Sequence, residues 1–346
     1  MTSNGTPNML TTPTVPPNKS ISPQQTPTSS SPPTKKMRST SPVHSHPHRQ
    51  TTPSLQDQTW LFTEDAVLNH SPTRLQKLTI PQELKLKESI HDFLIHLGHK
   101  LKLDGATILT TTIYLHRFFM RTSITSSKYW VACAAIVISC KINDCYRPPD
   151  KVALIGCNLK NPGRGVVIDE QNEMFWRWRD QLLYREELML RLLNFDLNVE
   201  LPYLIRDGLS KSKDEGSGED QEEEQVFETK KRDILKNATT LIEVLSSLPM
   251  LIVYEMKTLF ATCLIIIVIE ARGKMDRPDL ELPKRYLVDE LDVDLASVSA
   301  CFQFLKKLLK YSQQDPQAIS NKAAAKRILC ISTSTFEEII KSQEAE

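Results

Sequence analysis

The sequence contains no GxGxxG or Walker loop, no HExxH and no GxSxG. It therefore lacks the glycine turn that cradles phosphates, the paired-histidine helix of zinc proteases and the nucleophile turn of hydrolases. A CxxC pair is also missing. The seven cysteines (Cys133, Cys140, Cys145, Cys157, Cys263, Cys301, Cys330) mostly lie inside apolar helical stretches. They read as free thiols of a reducing compartment, used as small hydrophobes. No run reaches the roughly 20 apolar residues a membrane-spanning helix needs. The most apolar stretch, LFATCLIIIVI at 259–269, is too short and is flanked by Glu255, Lys257 and Glu270. There is no sustained apolar–polar alternation and no Asn-Gly hairpin signal between such runs, so strands are not expected. Formal net charge is only +1 over 346 residues, and the basic residues are scattered among acids. Nothing global draws the chain to nucleic acid or to a membrane.

Residues 1–58 consist largely of Ser, Thr, Pro and Asn. Such a segment buries too little apolar surface to offset its ordering entropy, and is expected to be a disordered tail. Its N-terminus is polar and proline-rich, without a signal-peptide pattern. Ser/Thr-Pro steps occur at Thr6, Thr12, Ser22, Thr26, Ser31, Ser41 and Thr52. They read either as plain proline-rich tail or as sites for a proline-directed kinase, each phosphate adding about −1.5 to −2 charge. Lys35, Lys36 and Arg38 form a short basic cluster that fits a nuclear import signal or a chance grouping.

Ordered structure is expected from Trp60 onward. Thr63 suits a helix N-cap, with Glu64 and Asp65 in the first turn, and Ser71-Pro72 ends that helix. Thr79 and Gln82 fit a capping box with Pro81 just inside. Leu86, Ile90, Phe93, Leu97 and Leu101 then recur at helical spacing. Further helices are expected over 106–120, 127–142, from Pro148-Pro149, over 169–193 and from Pro202. The segment around WVACAAIVISC (130–140) is apolar on every side, as only a helix buried on all sides should be. A lone cation, Lys141, stands at its exit.

Ser210–Gln225 is charged and glycine-bearing and reads as a flexible insertion. Helices are expected again over 226–248, 250–272 and 283–291. Another carries Leu295, Val298, Phe302, Leu305 and Leu309 behind an Asp294 cap. Each half thus has an amphipathic lead helix, an all-apolar central helix and a closing amphipathic helix. The expected division is a tail (1–58), a first bundle (59–209), an insertion (210–225), a second bundle (226–313) and a partly helical C-terminal tail (314–346).

Few polar residues suggest chemistry. His96 and His99 share a helix face at i, i+3, and His44, His46 and His48 form a tract in the tail. No cysteine or carboxylate constellation joins them into a metal site. Lys141 and Glu186 stand out more, the latter in YREELMLRLLNFDL. Taken singly, each reads as an ordinary solvated charge.

Four segments together resemble the transcription-associated cyclins, of the cyclin T and cyclin K type. They are WLFTEDAVLNHSPTR (60–74), TTIYLHRFFM (111–120), VACAAIVISCK (131–141) and EELMLRLLNFDLNVELPY (186–203). Within that family the chain is similar to a fungal cyclin of the Bur-kinase type, with a CTD-kinase-type fungal cyclin as the near alternative. The family usually has acidic residues after the lysine, whereas this chain has Ile142-Asn143-Asp144. The docking motif of cell-cycle cyclins is replaced by KESIHDFL.

The resemblance implies an all-α fold of two tandem cyclin-box bundles and a non-catalytic regulatory subunit. Its implied partner is the catalytic subunit of a cyclin-dependent kinase, joined as a nuclear heterodimer. The substrate of that complex would be the C-terminal repeats of RNA polymerase II and elongation factors, so that transcription elongation is promoted. Lys141 and Glu186 would sit at the centre of the kinase interface, with Val137 as an apolar contact one turn earlier. No cofactor, metal, membrane or direct nucleic-acid contact is implied. A general transcription factor of the TFIIB kind also carries two cyclin-like repeats. That alternative calls for a zinc ribbon and basic DNA-facing helices, neither of which is visible.

Overall fold

The computed structural model describes residues 60–125, 127–162, 167–211, 222–274, 280–314 and 322–344. These residues are helical and connecting segments, with no strand among them. The Ser/Thr-Pro steps at Thr6, Thr12, Ser22, Thr26, Ser31, Ser41 and Thr52, the Lys35, Lys36 and Arg38 cluster and the expected tail disorder lie outside the described residues.

The first bundle comprises α1 (Glu64–Asn69), α2 (Ile80–Leu101), α3 (Gly105–Phe119), α4 (Lys128–Ile142), α5 (Pro149–Lys160) and α6 (Glu173–Leu192). Local chemistry starts several of them. Thr63 accepts a hydrogen bond from the Ala66 amide, and Thr79 and Gln82 cap α2 reciprocally. Asp104 accepts from the Thr107 amide at 2.9 Å and so caps α3. Asn172 does the same for α6, accepting from Met174, which moves that helix start inward of the expected 169. The organising element is α4. Every residue from Val131 to Cys140 is buried, and α2, α3, α5 and α6 all pack on it. Close approach of α5 needs Gly156, where a β-carbon would fall 2.7 Å from the Cys133 sulfur.

The second bundle repeats this plan around α9 (Met256–Lys274), whose residues 259–261, 263–266 and 268 are buried. It includes α7 (Pro202–Lys211), α8 (Glu222–Leu245), the single turn α10 (Tyr286–Asp289) and α11 (Leu295–Gln313). It is completed by α12 (Lys322–Cys330) and α13 (Thr333–Glu344). Two boundaries differ from the expectation. The exit helix α7 packs on α8 and α9, and its Leu209 lies in the second core, so the first bundle ends before it. The C-terminal segment is no separate tail: Ile328, Phe336, Ile339 and Ile340 are core residues, and the Phe336 ring stacks on Phe302 at 3.9 Å. A buried Gln343 fixes α13 further, accepting from the Leu287 amide and donating to the Pro283 carbonyl. The amphipathic pattern of 322–344 is short, so its burial depends on partners far away in sequence. Helix α8 starts at Glu222, inside the expected insertion, and residues 212–221 lie outside the described set.

Polar groups join the bundles. The Phe62 amide donates to the Ile252 carbonyl at 2.7 Å, and the Tyr254 hydroxyl donates to Glu64 at 2.6 Å. Trp60 is clasped between Arg117 and Arg121, each 5.3 Å from its ring, and its indole N–H donates to Asp196. His116 Nε2 donates to the Ser246 carbonyl at 2.8 Å. The Ser246 hydroxyl donates to Glu243, which leaves His91 Nε2 as the donor to Ser246 Oγ. Nearby, the buried Glu83 accepts from Lys87 and Arg74 at 3.0 Å each and from Ser71 at 3.1 Å. Burial pushes the Glu83 carboxyl up, but the two cations outweigh it and hold it below its ordinary 4.5.

Burial drives His116 down from 6.5 to about 3, so the folded chain keeps this ring neutral. The unfolded chain takes up that proton below pH 6.5, so stability is complete above that value and falls as pH drops. One such proton is worth about 1.4 kcal/mol per pH unit. His91 is shifted the same way by burial. We expect urea-unfolding stability to decline between pH 6.5 and 5, and His116→Asn to flatten the slope by about one proton. An unchanged slope would contradict the assignment. Phe336→Ala should destabilise the second bundle by about 3–5 kcal/mol, read from the unfolding midpoint. A change near zero would mean that α13 is dispensable.

Candidate kinase-facing site

From Val131 onward, helix α4 has no polar face to show until its last turn. Lys141 emerges there, beside α6, because these two helices pack along their length. Lys141 Nζ donates to Glu186 Oε1 at 2.5 Å, 45 positions away in sequence. The lysine side chain is 46% exposed and the glutamate 12%. An ion pair this open is worth about 0–1 kcal/mol to an isolated chain. The apolar core already aligns α4 with α6, so the pair is not needed to hold them together. It is a partly desolvated, charged pair presented at the surface.

Exposed apolar residues lie beside it in the chain. Ile142 is 48% exposed and Tyr146 60%. Leu183 and Leu190, one turn either side of Glu186 on α6, are half-buried. Sequence reading passed over these four. The legible signal was an isoleucine and a tyrosine in an otherwise polar exit loop.

That loop is fixed rather than free. Asn143 Nδ2 donates back to the Ser139 carbonyl at 3.1 Å, and Asp144 takes the left-handed conformation with φ 51°. The Cys145 amide closes the turn on the Cys140 carbonyl at 3.0 Å. Arg147 then staples the loop to the end of α2, donating to the carbonyls of Leu101 and Lys102 at 2.9 and 3.1 Å. It also donates to the Cys145 and Tyr146 carbonyls. Asp150 pairs with Arg179 at 2.5 Å and ties the start of α5 to α6.

Val137 must be corrected. It was expected to touch the kinase, but it is 0% exposed and points into the first core. Four residues before Lys141 on a helix buried all round, it still lies where every direction meets another helix. Of the histidines, His96 Nδ1 pairs with the Asp92 carbonyl of its own helix, and His91 turns inward to Ser246. No group of three or more His, Cys, Asp or Glu residues able to hold a metal occurs among the described residues. None of the described helices is long and apolar enough to cross a membrane.

The fold is thus a double bundle whose first central helix, buried from Val131 to Cys140, ends at a surface lysine–glutamate pair. Residues 60–198 match the family profile described as the cyclin N-terminal domain. Over it the chain is similar to Cyclin pch1 of Schizosaccharomyces pombe, 33% identical over 145 residues covering 42% of each protein. It is also similar to Cyclin-T1-5 of Arabidopsis thaliana, 31% identical over 169 residues, covering 48% of this chain and 29% of that one. The matches thus span less than half the length of these curated relatives. A chain in the crystal structure of the yeast RNA polymerase II CTD kinase CTDK-1 complex shares the fold over 82% of both chains. Its TM-score is 0.55 at 15% identity. The resemblance to transcription-associated cyclins therefore holds over the first bundle by sequence, while most of the chain shares its fold with that chain of the kinase complex.

Removing the Arg147 staple should loosen Lys141–Tyr146 without unfolding either bundle. In Arg147→Ala, amide hydrogen exchange in that loop should accelerate while α4 from Val131 to Ser139 keeps its protection. Equal acceleration in both would mean that Arg147 supports the whole core instead.

Proposed function

We propose that this chain is the non-catalytic regulatory subunit of a nuclear cyclin-dependent kinase that phosphorylates the C-terminal repeats of RNA polymerase II and elongation factors. In this reading it promotes transcription elongation. The observation that carries it is the Lys141–Glu186 pair, presented at the surface by two core-locked helices. The similarity to cyclins named for pch1 and T1 supports it, as does the fold shared with a chain of a CTD-kinase complex.

The mechanism follows from what such a surface can do. Kinase activation requires the mobile αC helix to swing in and complete the kinase's own Lys–Glu pair. A rigid partner surface that fits only the swung-in helix shifts that equilibrium by its differential affinity. About 5.5 kcal/mol takes a population from 1:99 to 99:1. An interface of roughly 1,600 Å² is large enough to supply it. Lys141 and Glu186 supply charge-assisted hydrogen bonds to backbone groups of the kinase, and Ile142 and Tyr146 supply apolar contact. Once covered, the ion pair is desolvated, and loss of one partner leaves the other buried and unpaired, at about 3–5 kcal/mol.

Glu186→Lys places two cations together at the centre of this face. Kinase co-purification should be abolished, while the helical circular dichroism spectrum stays that of the unmodified chain. Full recovery of the kinase with this variant would refute the interface.

A further inference from the structure

Six of the seven cysteines are buried or half-buried. Cys133 and Cys157 lie in the first core and Cys263 and Cys301 in the second, all four fully buried. The pair Cys140 and Cys145 differs. It brackets Lys141, and its second member reaches solvent. The turn between them is already closed by the Cys145 amide on the Cys140 carbonyl at 3.0 Å, which brings the two residues together across the helix end. Cys145 Sγ also lies 3.3 Å from the Thr107 hydroxyl. No third ligand completes a metal site here, since no group of three suitable side chains occurs among the described residues.

We propose that Cys140 and Cys145 are a peroxide-oxidisable dithiol whose closure to a disulfide redraws the exit loop, and with it the surface around Lys141. The effect on a kinase partner rests on the reading in the preceding section; the disulfide does not.

The steps balance as follows. The Cys145 thiolate attacks an oxygen of hydrogen peroxide. The O–O bond breaks, hydroxide leaves and takes up a proton, and Cys145 becomes a sulfenic acid. The Cys140 thiolate then attacks that sulfur, and hydroxide leaves as a second water while the S–S bond forms. Two thiols and one peroxide give one disulfide and two waters. The order is set by access and ionisation. Burial pushes the Cys140 thiol up to about 12, so it is a poor first nucleophile, whereas it is placed to resolve an oxidised neighbour.

Closure has a structural consequence. The sulfurs must come to about 2.05 Å, which draws Cys145 toward α4. Ile142, Asn143 and Asp144 lie inside the ring so formed, Lys141 is its second residue, and Tyr146 follows it directly. The Thr107 contact and the Arg147 donation to the Cys145 carbonyl both have to readjust.

The test uses the full chain with the exposed Cys330 replaced by serine (Cys330→Ser), which prevents cross-linking between molecules. The folded protein is treated with hydrogen peroxide, remaining thiols are alkylated, and tryptic peptides are mapped. Cleavage after Lys141 separates the two cysteines, so a peptide of 129–141 linked to one of 142–151 is expected. Fragment ions should place the link at Cys140 and not Cys133, and a thiol reductant should reverse it. No such link, or one through Cys133, overturns the proposal. In parallel, the tagged chain is purified from its own cells and its kinase activity is measured on a polymerase repeat peptide. Oxidation should remove most of that activity, reduction should restore it, and Cys145→Ser should remain active and insensitive. Undiminished activity in a sample shown to carry the disulfide overturns the regulatory role. A purified chain without any kinase activity would instead defeat the kinase reading, with the peptide map still deciding the dithiol.

Discussion

The structure depends on one constraint: α4 has no side on which water is tolerable. Ten successive residues, Val131 to Cys140, offer only small or apolar groups. The free energy of removing about 25 cal/mol per Å² of such surface from water drives the helix to the centre, and α2, α3, α5 and α6 must gather round it. Small residues such as Ala132, Ala134 and Ala135 let those neighbours come close. What remains for the surface is the end of the rod, and the first charged group there is Lys141. Packing thus decides where the cation appears, and the length of α6 decides that Glu186 meets it.

The joint between the bundles is built on a different principle. Its contacts are hydrogen bonds whose donors and acceptors are fixed in direction, from His116 and His91 to Ser246, Phe62 to Ile252 and Tyr254 to Glu64. Buried polar groups of this kind add modest net stability but penalise every other docking angle, because misalignment leaves them unsatisfied. Such an angular lock would serve the proposed function, which needs a surface held in one orientation. The His-Arg-Phe triplet at 116–118 illustrates the division of labour. His116 reaches the second bundle, Arg117 clasps Trp60 and donates to the Asn198 carbonyl, and Phe118 fills the first core.

A surface ion pair, a stapled loop and an adjacent dithiol occupy the same few residues. The pair contributes little to folding, so it is free to serve a partner. The loop is held by Arg147 through carbonyl groups alone, a set of bonds that tolerates changes in side chain but transmits any shift of Cys145 to Tyr146. The proposed recognition and the proposed redox response therefore share one short stretch of backbone.

The sequence by itself determined most of the helices, several of their caps and the two buried rods, because hydrophobic periodicity and capping are local properties written in adjacent residues. Thr79 with Gln82 and the apolar run at 130–140 needed no other part of the chain to be read. It also marked Lys141 and Glu186, through their resemblance to a family pattern. Only the tertiary structure decided that Val137 faces inward, that α7, α12 and α13 complete the second bundle, and that Cys140 and Cys145 lie together beside the exposed pair. Each of these depends on which face of a helix meets which neighbour. On a rod apolar all round, or on short helices with brief patterns, the sequence contains no direction; the direction comes from contacts between residues far apart along the chain.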